Sequence, residues 1–510
     1  LPEGSRAIAG IGCHFMAVWM HRETGGFLQM GGEGVDWVAH SRFTTENQIF
    51  QNLGDGTYHH SGYLAIRQAI AAGATMTYKI LYNDAVAMTG GQAVDGQIGV
   101  PEIARQVEAE GAKRVVVVSD EPEKFNGRHA EFPRGTTFHH RSDLDTVQRE
   151  LRAIAGVTIL IYDQTCAAEK RRRRKKNEFP DPPRRVFINE AACEGCGDCG
   201  VQSNCLAVIP VETDWGRKRQ IDQTACNKDF SCINGFCPSF VTVHGAVVRK
   251  REGNAFTHDD LTREIATIAS PPAWHWTGPF DLLITGVGGT GIVTVGALVA
   301  MAAHLESKQA SVLDFTGFAQ KGGAVLSYIR IALTADALNQ VRIDTQQADC
   351  LLACDLVVGA SNDALQTVKR GRTAIIANTH TLATANFVLD PHATLHAPAL
   401  LEKMRFAAGD AFVTTIDAQA IAERLLGDTM PANIVMLGFC WQRGLVPVSE
   451  QALLRAFELN GVAVALNKTA FALGRLAAAK RPRGTPLDRW GWTHGPASKE
   501  RGVGKEHTEW

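Results

Sequence analysis

Long apolar runs are missing from this 510-residue chain, and none reaches the roughly 18 residues needed to span a bilayer. The opening residues Leu1-Pro2-Glu3-Gly4-Ser5 lack the charged and apolar regions of a secretory signal. A charge excess is missing too. Lys and Arg number 52 against 53 Asp and Glu, so no global field favours nucleic acid or an anionic membrane surface. These absences lead us to expect a soluble cytoplasmic protein that binds neither nucleic acid nor membrane and recognises its partners locally. An initial Met is also absent, and the chain runs almost at once into Gly10-Ile11-Gly12-Cys13, so a fragment lacking its N-terminal part is expected.

The length suggests about three domains, each able to bury its own core. Residues 1–165 alternate helical stretches with the strand-like runs Met76–Tyr82, Arg114–Ser119 and Val157–Tyr162, which read as buried parallel strands of an α/β layer. Residues 166–185 hold the basic run Lys170–Lys176 and the Pro-rich Phe179–Pro183, read as a solvated linker; nucleic-acid binding, nuclear import and docking of an acidic protein are weaker readings. Residues 186–250 are cysteine-rich. After a charged helix within 251–275, a further α/β domain spans 276–475. Strands are expected there at Phe280–Gly286, Ala310–Phe315, Ala324–Ile331, Leu356–Gly359 and Thr373–Ala377, the first two joined in a βαβ unit. The polar tail 476–510 is assigned no fold.

Two chemistries stand out. Asp55, in Gly54-Asp55-Gly56, precedes Asn83 by 28 positions, the spacing with which a thiamine-diphosphate site holds its divalent metal. Mg²⁺ takes hard oxygen ligands in near-octahedral array, and a carboxylate and an amide at the ends of adjacent strands supply two of them. Gly54 and Gly56 are expected to let the backbone turn tightly beside the diphosphate, and Ser61–Ala72 to start a helix facing the same anion. The competing reading is an ordinary turn followed by a strand-end Asn.

The second chemistry is sulfur. Seven of the twelve cysteines lie between Cys193 and Cys237. Cys193-x2-Cys196-x2-Cys199 has ferredoxin-like spacing, with Cys237-Pro238 as the remote fourth thiolate of a [4Fe–4S] cluster; zinc and disulfides are the weaker readings. Cys205, Cys226 and Cys232 are one thiolate short of a second all-cysteine cluster, which would need a non-cysteine ligand. For most of the scattered Cys13, Cys166, Cys350, Cys354 and Cys440, a small buried apolar role is expected.

Gly286-Val287-Gly288-Gly289-Thr290-Gly291 satisfies G-x-G-x-x-G, with Asp314 near the end of the next strand. Taken alone, these residues divide evenly between dinucleotide binding and close packing.

Asn83-Asp84-Ala85-Val86-Ala87-Met88-Thr89-Gly90-Gly91-Gln92 resembles the Ala-Met-Thr-Gly-Gly-Gln signature of the thiamine-dependent 2-oxoacid:ferredoxin oxidoreductases, in their indolepyruvate branch. Gly10–His14 resembles the family's strand-end loop near the cofactor, Gly31-Gly32-Glu33-Gly34 its glycine-rich approach, and Phe280–Gly291 with Ala319–Gly323 its gamma domain. The segment order is similar to the fused bacterial enzymes over most of residues 1–470. The resemblance implies an α/β fold class: a parallel-sheet thiamine-diphosphate-binding domain, a small iron–sulfur module and a Rossmann-like gamma domain. It implies Mg²⁺ on Asp55, Asn83 and the Ala85 carbonyl, and cofactor contacts from Gly12, Cys13, Gly54, Gly56, Met88, Thr89 and Gly90. Cys193, Cys196, Cys199 and Cys237 would hold the cluster.

The implied reaction is oxidative decarboxylation of an aryl 2-oxoacid to acyl-coenzyme A and CO₂, with electrons passing to ferredoxin. His59 and His60 are candidate proton relays, with a helix-entry role equally open and His60 the weakly preferred of the two. The family's activating glutamate is not recognisable here, so a homo-oligomer or partner chain is expected to complete the site. An electron-transfer or scaffold module is the alternative function, and an NAD-dependent dehydrogenase ranks last because it leaves Asp55, Asn83 and the cysteines without a role.

Overall fold

The computed structural model describes residues 1–479 except 21, 86–95, 97, 206, 224, 236, 246–257, 272–273, 276–277, 317–322 and 382–395. Among the described residues the first sheet contains β1 (Ala7–Ile8), β2 (Thr24–Gly25), β3 (Ile49–Gly54), β4 (Met76–Tyr82), β5 (Arg114–Ser119), β6 (Thr137–His140) and β7 (Val157–Asp163). The order is β2-β1-β3-β4-β7-β5-β6, with every pairing parallel.

The sequence Arg-Val-Val-Val-Val-Ser of β5 explains the layering. Side chains alternate faces, so Val115 and Val117 enter one core with Ile103 and Val107, while Val116 and Val118 enter another with Val147 and Leu151. Each fully buried valine contributes roughly 1.5–3 kcal/mol. The helices Val100–Ala109 and Leu144–Arg152 provide those covering residues. The first is opened by Pro101, and the Glu102 carboxylate accepts from the Gly99 N–H at 3.1 Å.

The basic run differs from the expected linker: Ala167–Lys175 is a helix. Lys170 pairs with Asp120, Arg173 with Asp84 and Glu169, and Arg174 donates to the carbonyls of Pro180 and Asn227. Partners distant in sequence therefore absorb charges that composition suggested were solvated.

The cysteine-rich module contains two antiparallel pairs, β8 (Arg184–Ile188) with β11 (Phe240–His244) and β9 (Val208–Thr213) with β10 (Gly216–Ile221). Its core consists of Val186, Ile188, Cys193 and Ile221, with Cys199, Cys226 and Cys232 packed against it. So small a core provides little hydrophobic stabilisation, and modules of this size commonly rely on disulfides or metal. Among the described residues its seven cysteines form no disulfide.

The last sheet contains β12 (Phe280–Val287), β13 (Gln309–Thr316), β14 (Ala324–Ala332), β15 (Cys350–Ala353), β16 (Ala374–Asn378) and β17 (Val413–Ile416), in the order β13-β14-β12-β15-β16-β17. Strands β12, β15, β16 and β17 pair in parallel as in a Rossmann-like half. The βαβ unit is split, because β14 lies between β12 and β13 and runs antiparallel to both. Leu356–Gly359, expected as a strand, is a short helix whose Val358 N–H is capped by the Asp355 carboxylate at 3.0 Å. A four-residue apolar run does not separate buried strand from buried helix, and the cap selects the helix.

Candidate functional site

Strands β3 and β4 are neighbours, with Gly54 opposite Leu81, so the loops at their carboxyl ends emerge side by side. The Asp55 carboxylate spans them. Its Oδ1 accepts from the Gly56 N–H at 2.8 Å and its Oδ2 from the Asn83 N–H at 2.7 Å. Burial raises its pKa above the ordinary carboxylate value, and the backbone donors of Asn83, Gly56 and Asp84 oppose that shift. Asn83 Oδ1 is buried without a hydrogen-bond partner among the described residues. A buried amide oxygen left unpaired on the residue whose N–H holds a half-buried carboxylate fits a hard-cation site, because a cation would supply the interaction the amide oxygen lacks.

The helical run begins at Asp55 rather than at Ser61, passing through a wider turn at Tyr58–Gly62 into Tyr63–Ala71. Its N-terminus therefore lies directly at the candidate metal loop. Gly54 has φ −74°, and Gly56 is not among the glycines with positive φ, so neither is required by a left-handed turn. A Cβ at Gly56 would meet nothing within 4 Å.

The loop after β1 comes close to this region. Gly12 has φ 148°, in a region that favours glycine, and Cys13 opens the turn Cys13–Trp19. The His14 ring packs against Gly10, Gly12 and Gly54: a Cβ at Gly10 or Gly12 would come within 2.9 Å of it. His14 Nε2 is sealed from solvent, and burial, aided by Lys79, holds the imidazole pKa down to about 4. Glu33, in the glycine-rich 31–34 loop, is buried, accepts from the Gly31 N–H at 2.7 Å and leaves Oε1 unpaired among the described residues. His60 is exposed, and its Nδ1 lies 2.6 Å from Ser61 Oγ. Ala85 is buried. Met88, Thr89, Gly90 and residues 319–322 lie outside the described residues.

Sequence reasoning missed Asp84 and Arg173. Asp84, left-handed at φ 59°, receives both guanidinium nitrogens of Arg173, at 2.9 and 2.8 Å. Nothing in the uniform basic run distinguished Arg173 from its neighbours.

Cys193 and Cys196 both act electrostatically on Cys199, whose pKa rises to about 11, mainly through burial. Cys205 and Cys226 act likewise on Cys232. Cys193 Sγ accepts from the Gly195 N–H and Cys226 Sγ from the Lys228 N–H, each at 3.4 Å. Amides directed at sulfur fit thiolate ligation, since such bonds stabilise charge on the sulfurs of a bound cluster. Cys237 Sγ lies 3.0 Å from Ser239 Oγ. Among the described residues no group of three or more His, Cys, Asp or Glu side chains is placed to hold a metal ion.

In the last domain the Gly-rich turn is internally engaged. The Gly288 N–H donates to the Gly323 carbonyl at 2.7 Å, and a Cβ at Gly286 would collide with the Ile292 side chain. Asp314 is exposed on β13, separated from β12 by β14. This geometry favours the packing reading, because a ribose-binding acid belongs on the neighbouring parallel strand. Cys350, Cys354 and Cys440 are buried, as expected; Cys13 and Cys166 are partly exposed. No helix among the described residues is long and apolar enough to cross a membrane.

Residues 281–477 match the family model described as pyruvate ferredoxin/flavodoxin oxidoreductase. The chain is 25% identical over 205 residues to indolepyruvate oxidoreductase subunit IorB of Methanothermobacter thermautotrophicus, covering 39% of this chain and 98% of that protein. It is 26% identical over 191 residues to subunit IorA of Thermococcus kodakarensis, covering 35% of this chain and 25% of that protein. A keto/oxoacid ferredoxin oxidoreductase gamma subunit from Geobacter sulfurreducens aligns at 24% identity and TM-score 0.27, over 39% of this chain and 98% of that one. The chain thus carries a pyruvate ferredoxin/flavodoxin oxidoreductase domain and is homologous to indolepyruvate oxidoreductase subunits.

Proposed function

We propose that the chain takes part in oxidative decarboxylation of an aryl 2-oxoacid of the indolepyruvate type, forming an acyl-coenzyme A and CO₂ while passing electrons through iron–sulfur chemistry to ferredoxin. The observation that carries this reading is the half-buried Asp55 carboxylate held by the Asn83 N–H at adjacent strand ends, with Asn83 Oδ1 left unpartnered among the described residues. It is supported by homology to IorA and IorB, both named as indolepyruvate oxidoreductase subunits.

Asp55, Asn83 and the Ala85 carbonyl would hold Mg²⁺ and through it thiamine diphosphate, which when bound supplies the electron sink for decarboxylation. Gly12, Cys13, Gly54, Gly56 and the segment Met88-Thr89-Gly90 would border it. The Asn83 N–H orients the Asp55 carboxylate towards the loop. His60 is the weakest assignment, as a proton carrier to solvent; unchanged decarboxylation kinetics in His60→Gln would remove it. Cys193, Cys196, Cys199 and Cys237 would bind a [4Fe–4S] centre that collects electrons, and Cys205, Cys226 and Cys232 are available for another.

The test is anaerobic measurement of iron, acid-labile sulfide and bound thiamine diphosphate, followed by indolepyruvate- and coenzyme A-dependent reduction of ferredoxin. Substrate-dependent reduction supports the enzyme reading. A cluster that dithionite reduces but indolepyruvate does not would favour an electron-transfer module completed by a partner chain, in keeping with the alignment's covering only 25% of IorA. Iron without sulfide and no retention of thiamine diphosphate would overturn both.

A further inference from the structure

Four strands end the two large sheets, and three of them offer little edge. β2 has two residues, and β6 and β17 have four each. β13 has eight. Edge strands are ordinarily blunted by shortness, proline or charge, because their outward N–H and C=O groups invite another strand. β13 contains no proline and no basic residue, and Asp314 is its one charge. None of its residues is buried, whereas in β14 beside it every residue but Ala324 is buried. Among the described residues its backbone pairs with β14 alone, so alternate N–H and C=O groups along its outer side lack a protein partner.

A second uncovered surface adjoins this edge. The helix Ile292–Leu305 packs over β13 and β14 and contains no Asp, Glu, Lys or Arg. Gly296 lets it lie close to the sheet, since a Cβ there would collide with the Ser327 side chain of β14. Val295, Val299 and Ala303 on its inner face are buried. Its outer face carries Val293, Ala297, Met301 and Leu305, four positions apart and all exposed. A helix on a solvated surface turns charge outward; one that is apolar on both faces is a helix covered on both.

We propose that β13 and the outer face of the helix Ile292–Leu305 form a two-fold interface with a second copy of this chain, β13 pairing antiparallel with its counterpart so that the two six-stranded sheets join edge to edge.

Geometry selects a second copy as the occupant. Neighbouring strands lie about 4.8 Å apart, and the helix sits over β13 and β14, so a dyad along the free side of β13 sets the two copies of the helix antiparallel and about 10 Å apart. Packed helices lie about 8–10 Å apart. One symmetry operation therefore pairs the open edge and covers the apolar face, whereas an extended peptide added to β13 would leave the helix exposed. A dyad at the middle of the strand, beside Val312 or Leu313, also keeps the two Asp314 carboxylates from facing each other. Across that dyad Ala297 of each helix faces Met301 of the other, because the midpoint of the exposed stripe lies between them. The interface is independent of the thiamine and iron–sulfur assignments.

Sedimentation equilibrium of the full-length chain should show a dimer. The double variants Ala297→Lys/Met301→Lys and Ala297→Glu/Met301→Glu each set like charges across the dyad. Each should weaken dimerisation by more than about 100-fold, with far-ultraviolet circular dichroism unchanged. Mixing the two variants should restore the dimer, since opposite charges then meet. Hydrogen exchange of the unmodified chain tests the strand pairing without any substitution: amides of residues 309–316 should lose protection on dilution below the dissociation constant, while those of β6 and β17 keep theirs. A monomeric wild-type chain would overturn the proposal. So would a dimer that the double variants leave intact, a mixture of the variants that stays monomeric, or exchange over residues 309–316 that does not depend on concentration.

Discussion

Arg173 and Asp84, 89 positions apart, form a two-pronged ion pair that fastens the helix Ala167–Lys175 onto the loop between Asn83 and Ala85. The next residue, Arg174, donates to the Asn227 carbonyl at 2.7 Å, beside Cys226. One helix thus contacts both the candidate metal loop and the cysteine module. Groups that orient metal ligands from outside typically change metal affinity by about 10–100-fold when removed. Arg173→Gln should therefore weaken Mg²⁺-dependent thiamine diphosphate binding by about that factor, measured by titration calorimetry. Arg173→Lys should recover only part of it, since an ammonium cannot reproduce the paired geometry. Unchanged affinity in Arg173→Gln would show that the pair is structural only.

Asn83 separates function from stability. Its Oδ1 is buried and unpaired among the described residues, a condition that costs about 1–3 kcal/mol. Asn83→Leu should leave the thermal midpoint of the cofactor-free protein equal or higher, while abolishing the rise that Mg²⁺ with thiamine diphosphate produces. A midpoint lowered by several degrees, with the ligand-induced rise intact, would contradict the ligand role.

His14 should make the cofactor-free protein acid-sensitive. Burial lowers its pKa from 6.5 to about 4, so below 6.5 the unfolded chain binds a proton that the folded chain excludes. This contribution is present above the unfolded value and is lost as pH falls from 6.5 towards 4. Chemical denaturation across that window should show the decline, and His14→Gln should flatten it. An identical pH profile in the variant would remove His14 as its source.

The helices Ala432–Gln442 and Val464–Ala478 cross at two glycines. A Cβ at Gly438 would strike the Phe471 carbonyl, and one at Gly474 the Val435 carbonyl. Backbone atoms cannot move aside as a side-chain tip can, so Gly438→Ala or Gly474→Ala should destabilise the domain by about 1–3 kcal/mol. Calorimetric unfolding of that domain would measure it. Iron and sulfide content should stay unchanged, because these helices lie outside the cysteine module.

Local pattern was enough to locate the parallel strands. Met76–Tyr82 and Arg114–Ser119 were legible to the residue, because both are short runs dominated by aliphatic, aromatic and β-branched side chains, four consecutive valines in the second. The Asp55 and Asn83 pairing was legible from spacing, since two consecutive strand ends must meet if their strands are neighbours. Cys350, Cys354 and Cys440 could be read as core because small apolar side chains favour burial.

What lay beyond the sequence depended on contacts between distant segments. The Asp281–Arg330 pair, buried across β12 and β14, accompanies the insertion of β14 that splits the expected βαβ unit, and no local periodicity encodes strand order. Arg173 is indistinguishable from its basic neighbours until Asp84 is placed opposite it, and the sealed Nε2 of His14 depends on three glycines from two separate loops. Residue type and spacing set which groups can ligate, pair or pack. Selection among them comes from burial and long-range proximity, because a charge or an unpaired polar atom takes on its energetic meaning only when neighbouring strands and helices exclude water around it.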